Sequence, residues 1–242
     1  MRILVTGGAG FIGSNFVRIL RATYPEDEVV ILDKLTYAGN RDNLSDVLSV
    51  GNCSLLQGDI AQRADVREAM RGCQAVVNFA AETHVDRSIL SPDVFIKTNI
   101  EGTYTLLEEA RTQNIQRFIQ ISTDEVYGNA LSPEGVSRPS LETDAQRPMS
   151  PYAASKAAAD NLAYAYWTTY QLPVVITRCG NNYGPYQYPE KQLPLFILNA
   201  LANRPLPVYG NGKMFAIGFM SMITREQFSP FSTLMEHKCM VR

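Results

Sequence analysis

The chain has 242 residues, 45% of them hydrophobic and 19% charged, with a formal net charge of −2. That length suits one large domain with a sizeable core and room for a small annex. The near-neutral balance excludes the basic footprint of nucleic-acid binding and the polybasic signal of a membrane surface, so neither partner is expected.

No apolar stretch reaches a membrane-spanning length. "MRILVTGGAG" runs straight into a strand-and-loop pattern with no cleavable leader, so a cytoplasmic setting is expected. Four cysteines (Cys53, Cys73, Cys179, Cys239) are scattered without a C-x-x-C, and there are only two histidines. No metal site is expected from that set, and the thiols read as reduced.

Short β-branched runs alternate with helical patterns along the chain. "RILVTG" leads to a helix near 12–23, then "EVVILD" and "CSLLQGD". A helix near 63–72 precedes "QAVVNFAAE", and a helix near 92–113 precedes "RFIQIST". A helix near 151–170 and the strand "PVVITR" complete the series. Strands this uniformly apolar are buried on both faces, which predicts a parallel sheet covered by helices. The alternation predicts a Rossmann-type, doubly wound α/β fold. Proline density rises after residue 183, marking a change to loops and a short helix. The expected division is 1–180 for the dinucleotide-binding domain and 181–213 for the start of a substrate region. Residues 214–242 are expected to be an aberrant tail that is not natively folded.

"VTGGAGFIGS" places Gly7, Gly10 and Gly13 between the first strand and the first helix. Glycines there allow a tight turn, close backbone approach to a pyrophosphate and close helix–strand packing. The helix N-terminus then offers unpaired N–H groups and a positive dipole end. Asp33 closes the second strand twenty residues after Gly13, where a carboxylate accepts hydrogen bonds from the adenosine ribose. The same charge repels a 2′-phosphate, which favours NAD over NADP. Asp59 and Ile60, after the third strand, read equally as an adenine contact or, for Asp59, as a helix cap or turn residue. "NFAAET" after the fourth strand supplies Phe79, Ala80 and Ala81 as cofactor lining.

"SPYAASK" sets Tyr152 and Lys156 four apart, on one helix face. A phenol ordinarily titrates near 10. A nearby ammonium and a positive nicotinamide ring are expected to favour its phenolate. "STDEVYG" puts Asp124 and Glu125 side by side after a strand. In isolation such a pair reads as solvated or as a helix cap.

The set "TGGAGFIGSNF", "LDKLTYAGN", "AAETHVDRSI", "STDEVYG", "SPYAASKA" and "TRCGNNYGPYQYPEK" resembles the extended short-chain dehydrogenase/reductase family. Within it, the similarity is to the dTDP-glucose 4,6-dehydratases, and it spans residues 1 to 213. The resemblance implies NAD-mediated oxidation at C4 of the sugar, loss of water across C5 and C6, and reduction at C6. In that scheme Tyr152, supported by Lys156, takes the C4 hydroxyl proton, and Thr123 hydrogen-bonds the C4 oxygen. Glu125 is the base at C5 and Asp124 the acid at C6, a role that asks for burial of Asp124 beside its neighbour. A 4-epimerase needs no such pair. The resemblance adds Phe11, Ile12, Lys34, Leu35, Thr36, Thr98 and Asn182 as cofactor contacts. It implies Thr83, Thr123, Asn181, Glu190 and Lys191 as substrate contacts, and a homodimer formed through the helices near 92–113 and 151–170. A related sugar-nucleotide epimerase or dehydratase, and an inactive NAD-holding fragment, are the alternatives.

After "PVYGNGK" the resemblance stops, and the stretch from Met214 has no clean period. Codons can be chosen for it whose next reading frame spells "NVRDWIYVDDHARA", a segment like the one family members carry there. The expectation is a single-base deletion at the Lys213 codon, leaving a tail without a coherent core. Sequencing the gene through that codon checks this.

Overall fold

The computed structural model describes residues 1–128 and 139–208 and the backbone of 218–220. Six strands, β1 (Arg2–Thr6), β2 (Glu28–Asp33), β3 (Cys53–Gln57), β4 (Ala75–Asn78), β5 (Arg117–Thr123) and β6 (Val174–Cys179), form one parallel sheet. Their order is β3-β2-β1-β4-β5-β6. The order reverses between β1 and β4, which opens a crevice beyond the carboxyl ends of those two strands. This is the doubly wound architecture expected of apolar strands, although β3, at the sheet edge with a neighbouring strand on one side only, has no fully buried residue.

Successive residues of each strand face opposite layers, so one apolar run feeds two cores. Leu4, Val30, Leu32, Val76 and Phe118 pack under α3 (Arg63–Met70), α6 (Thr103–Thr112) and α7 (Pro151–Tyr170). Ile3, Val5, Val29, Ile31, Val77 and Ile119 pack with Phe16, Val17 and Leu20 of α1 (Phe11–Thr23). Val47 of α2 (Ser45–Leu48) joins that second layer.

The helix expected near 92–113 is not one uniform element. A short α4 (Val85–Leu90) precedes it, and α5 (Pro92–Phe95) runs into a π-helical stretch, Ile96–Gly102, before α6. The wide turn brings the buried Asn99 to a bonding position that a regular helix would carry elsewhere. Gly102 ends it against Ile60, where a Cβ would sit 2.6 Å from the Ile60 side chain.

α7 starts where its sequence prescribes. The Ser150 hydroxyl accepts the Ala153 N–H at 3.0 Å, and Pro151 holds the first helical position.

Beyond the sheet lie β7 (Asn181–Tyr183), α8 (Gln192–Leu201) and β8 (Gly218–Met220). β8 pairs in parallel with β7, although it falls in the tail expected to lack structure. Such pairing needs only backbone N–H and C=O groups. The rest of 214–242, including Cys239, lies outside the described residues. No helix among the described residues is long and apolar enough to cross a membrane.

Candidate active site

The glycine-rich turn leaves β1 at Gly7, whose φ of +67° is the left-handed region that glycine tolerates. A Cβ there would lie 2.6 Å from the Ala80 backbone nitrogen, and one at Gly13 would lie 2.3 Å from the Gly7 carbonyl oxygen. The first turn of α1, with Phe11 and Ile12 half-buried in it, therefore packs on the loop at a distance no side chain permits. Gly13→Ala is expected to lower stability by about 1–3 kcal/mol through overpacking, measured by denaturant unfolding.

Asp33 organises this turn. Its carboxylate accepts the Ala9 N–H and the Leu35 N–H, each at 2.8 Å. Burial pushes its titration up, against the pull of those two donors. A carboxylate has about four acceptor positions, so two remain for a ligand's hydroxyls. Lys34 pairs with Asp59 at 2.8 Å, and the Asp59 carboxylate also accepts the Ala61 N–H at 2.9 Å. Asp59 thus has the turn geometry that was one of its two readings. Although burial raises it, the Lys34 bond and the Ala61 N–H hold it below the usual carboxylate range. The Ile60 side chain is buried in the core, which leaves only its backbone to face a cofactor. Its fixed place against Gly102 is the reason.

Thr36 closes the loop after β2, its carbonyl accepting the Gly39 N–H at 3.1 Å. Phe79 packs its ring 5.0 Å from that of Phe16, and Ala80 and Ala81 follow, half-buried, beside the glycine turn. Thr98 sits half-buried in the π-helical stretch.

β5 ends in Thr123, which caps a single 3₁₀ turn, Asp124–Tyr127. The Thr123 hydroxyl accepts the Glu125 N–H at 3.2 Å and donates to Asp124 Oδ1 at 3.3 Å. The two acids differ. Glu125 is half-buried, and burial, then Asp124, pushes its carboxyl up, with Lys191 opposing. Asp124 is exposed, contrary to the burial its acid role asks for. The cap turns the first residue of the helix outward and the second inward.

Tyr152 is 9% exposed and lies against Thr123, with Glu125, Cys179 and Asp124 within electrostatic reach. Burial, then Glu125, raises its phenol, and a hydrogen bond with Thr123 works the other way. The net direction is upward, against the lowering expected from Lys156, which does not figure among the largest influences. Burial outweighs it, and the Lys156 ammonium is itself buried and donates to the Ile121 carbonyl of β5 at 2.5 Å. Burial pushes Lys156 down while Asp160 holds it up.

The segment 184–191 folds back onto this half of the molecule. Asn15 donates to the Pro185 carbonyl at 3.0 Å, and Arg18 lies 4.0 Å over the Tyr186 ring. Tyr37 meets Tyr188 edge-on at 5.4 Å and donates to Glu190 at 3.0 Å. Burial, then Glu190, pushes the Tyr37 phenol up to about 12. Lys191 is within electrostatic reach of Glu190, then Glu125 and Asp86, and donates to the Thr83 carbonyl at 3.4 Å. Asn181 is exposed, and Asn182 donates to the Gly180 carbonyl at 3.0 Å. Thus Thr123, Asp124, Glu125, Tyr152 and Lys191 converge. Glu190 is engaged by Tyr37, and the Lys34–Asp59 pair forms a separate group.

Several contributors carry no signal in the sequence. Asn99 accepts the Glu82 N–H at 2.9 Å and donates to the Glu82 carbonyl at 3.0 Å and to Ser155 at 2.8 Å. Ser155 in turn donates to the Tyr152 carbonyl at 2.7 Å. Asn99 so ties the loop after β4 to the helix carrying Tyr152. Tyr37 could have been found only from its place in "LTYAGN".

The sequence pattern of the GDP-mannose 4,6 dehydratase family matches residues 4–215. The dTDP-glucose 4,6-dehydratase of Streptomyces niveus is 53% identical over 216 residues, covering 88% of this chain and 63% of that protein. The crystal structure of DesIV, a dTDP-glucose 4,6-dehydratase from Streptomyces venezuelae with NAD and TYD bound, has a TM-score of 0.86 at 50% identity. That similarity covers 91% of this chain and 68% of DesIV. A UDP-glucose 4-epimerase from Thermus thermophilus, in complex with NAD, has a TM-score of 0.84 at 31% identity, covering 98% and 76% of the two chains. The chain spans about 63% of the length of curated relatives such as the first. With the glycine turn, the acidic turn and the Tyr152 helix all inside the matched span, the chain belongs to the GDP-mannose 4,6 dehydratase family, within the extended short-chain dehydrogenases/reductases.

Proposed function

We propose that this site dehydrates a nucleotide-activated hexose, dTDP-glucose, to the 4-keto-6-deoxy sugar. The observation that carries the reading is the acidic 3₁₀ turn: Asp124 and Glu125 lie within electrostatic reach of the buried Tyr152, and Glu125 within that of Lys191. An epimerase acting only at C4 has no use for two carboxylates there.

The glycine turn fits a dinucleotide. Backbone fills the space where a Cβ would lie at Gly7 and Gly13, and Asp33 keeps acceptor capacity at the end of β2. Its charge selects NAD over NADP. NAD, when bound, would supply the hydride acceptor for C4 and the hydride donor for C6. Gly7, Gly10 and Gly13 cradle the pyrophosphate at the start of α1, with Lys34, Leu35 and Thr36 near the adenosine and Phe79 to Ala81, Thr98 and Asn182 lining the cleft.

Tyr152 takes the C4 hydroxyl proton, with Thr123 bonding the same oxygen. A ketone at C4 acidifies the C5 hydrogen, which Glu125 removes. Asp124 protonates the departing C6 hydroxyl, which leaves as water, and Glu125 returns a proton to C5. The burial that Asp124 lacks comes from the sugar lying over it. Thr83, Asn181, Glu190 and Lys191 form the substrate side, with Glu190 held by Tyr37 until substrate competes for it. The homodimer belongs to the same proposal, with the exposed Tyr104 of α6 and Tyr164 of α7 at its surface.

The experiment is incubation of the purified chain with NAD and dTDP-glucose, followed by mass spectrometry for a product lighter by one water. Product from dTDP-glucose and none from UDP-glucose is expected. Bound NAD with no product would leave only a nucleotide-holding scaffold.

A further inference from the structure

Arg178 sits one residue before the end of β6, in register with Ser122 of β5, and its fork joins two elements. Nε donates to Asp160 Oδ2 at 2.9 Å, and Nη1 donates to the Tyr127 hydroxyl at 2.6 Å. The guanidinium also lies 5.0 Å from the centre of the Tyr127 ring. The Asp160 side chain is 1% exposed, and Asp160 stands one helical turn beyond Lys156 on α7. Tyr127 is the last residue of the turn that begins with Asp124 and Glu125.

Thr123 secures the front of that turn and Arg178 its back. A lone 3₁₀ turn has too few internal bonds to hold its own orientation, because its terminal groups lack partners within it. The fork supplies what the turn lacks, and only a planar donor with two separate edges reaches both partners. The same pair reaches toward Lys156, whose charge Asp160 supports against burial.

We propose that Arg178, anchored by Asp160, is a positioning residue that holds the Asp124–Glu125 turn at the reacting carbons through the Tyr127 hydroxyl. This rests on the dehydratase reading for its chemical consequence, while the mechanical role stands on the geometry alone. Asp160 and Arg178 touch neither C5 nor C6 in this scheme. They act through the turn, so their loss should slow elimination and spare C4 oxidation.

The test uses Tyr127→Phe, which removes one hydroxyl, and Arg178→Lys, which keeps a charge for Asp160 but gives up the fork. Substitutions that leave Asp160 or Arg178 buried and unpaired risk unfolding the chain and are avoided. Amide hydrogen exchange is read at Glu125, whose N–H bonds Thr123, at Gly128, bonded to the Glu125 carbonyl, and at Arg147, bonded to the Val126 carbonyl. Both variants are expected to exchange about tenfold faster at these amides, as loss of a bond to a charged group implies, with β1 and α1 unchanged. With dTDP-glucose and NAD, water loss is expected to fall about tenfold while cofactor reduction stays within about twofold of the parent. Unchanged exchange at the turn overturns the proposal. So does a rise spread evenly over the sheet, or faster exchange at the turn with elimination intact. If the parent chain neither reduces the cofactor nor forms product, the dehydratase reading fails, and the exchange arm alone decides the positioning role.

Discussion

Glu125→Gln is expected to stop water loss while leaving oxidation at C4 in place. The amide cannot remove the C5 hydrogen, so the elimination rate should drop by about 10²–10⁴-fold, the usual contribution of a positioned base. Reduced cofactor should then accumulate when dTDP-glucose is added, visible by its near-ultraviolet absorbance, with little 4-keto-6-deoxy product. Unchanged product formation would refute the assignment.

The same substitution carries a stability signature of opposite sign. Burial, then Asp124, raises the Glu125 carboxyl above its value in the unfolded chain. The native state therefore holds that proton more tightly, and the stabilisation this brings is full at low pH. It is lost as pH rises through the folded value. The glutamine variant should accordingly be the more stable protein at pH 7, with the difference closing as pH falls below about 4.3, the ordinary glutamate value. Thermal unfolding at both pH values measures this. A variant less stable at pH 7 would show that Glu125 is satisfied as an anion.

Tyr152→Phe is expected to block the sequence one step earlier. Without the phenol, neither reduced cofactor nor product should form above about 1% of the parent rate, again the scale of a lost acid–base group. The fold should survive, since only a hydroxyl bonded to Thr123 is removed, worth about 0.5–1.5 kcal/mol. The contrast separates the roles: cofactor reduction persists in Glu125→Gln and is absent in Tyr152→Phe. Burial and Glu125 hold the phenol above its ordinary value, so the parent's C4 oxidation should quicken as pH rises from neutrality. A rate that falls over that range would argue against Tyr152 as the base. Equal accumulation of reduced cofactor in the two variants would show that proton removal at C4 lies elsewhere.

Much of this molecule was legible in its sequence because the relevant signals are local. Six largely apolar runs determine six strands of one covered parallel sheet, the five inner and far-edge strands buried and the edge strand β3 only half-covered. The spacing of Gly7, Gly10 and Gly13 determines a tight turn that admits no side chain at Gly7 or Gly13. Adjacent positions make Asp124 and Glu125 neighbours in any fold, and a helical period puts Tyr152 and Lys156 on one face.

Tertiary structure decided the rest, because it depends on residues far apart in the chain. Only packing distinguishes the exposed Asp124 from the half-buried Glu125. Only packing turns Lys156 toward the Ile121 carbonyl, and joins Tyr37 to Glu190 across 153 positions. The π-helical stretch around Asn99 escapes a reading based on 3.6-residue periodicity, because a widened turn has no periodic signature. The Asp160–Arg178–Tyr127 fork joins a helix, a strand and a turn, and no spacing announces it. The sequence determines which chemical groups are present. Long-range contacts fix their burial and orientation, and with these the proton each group holds and the direction in which it points.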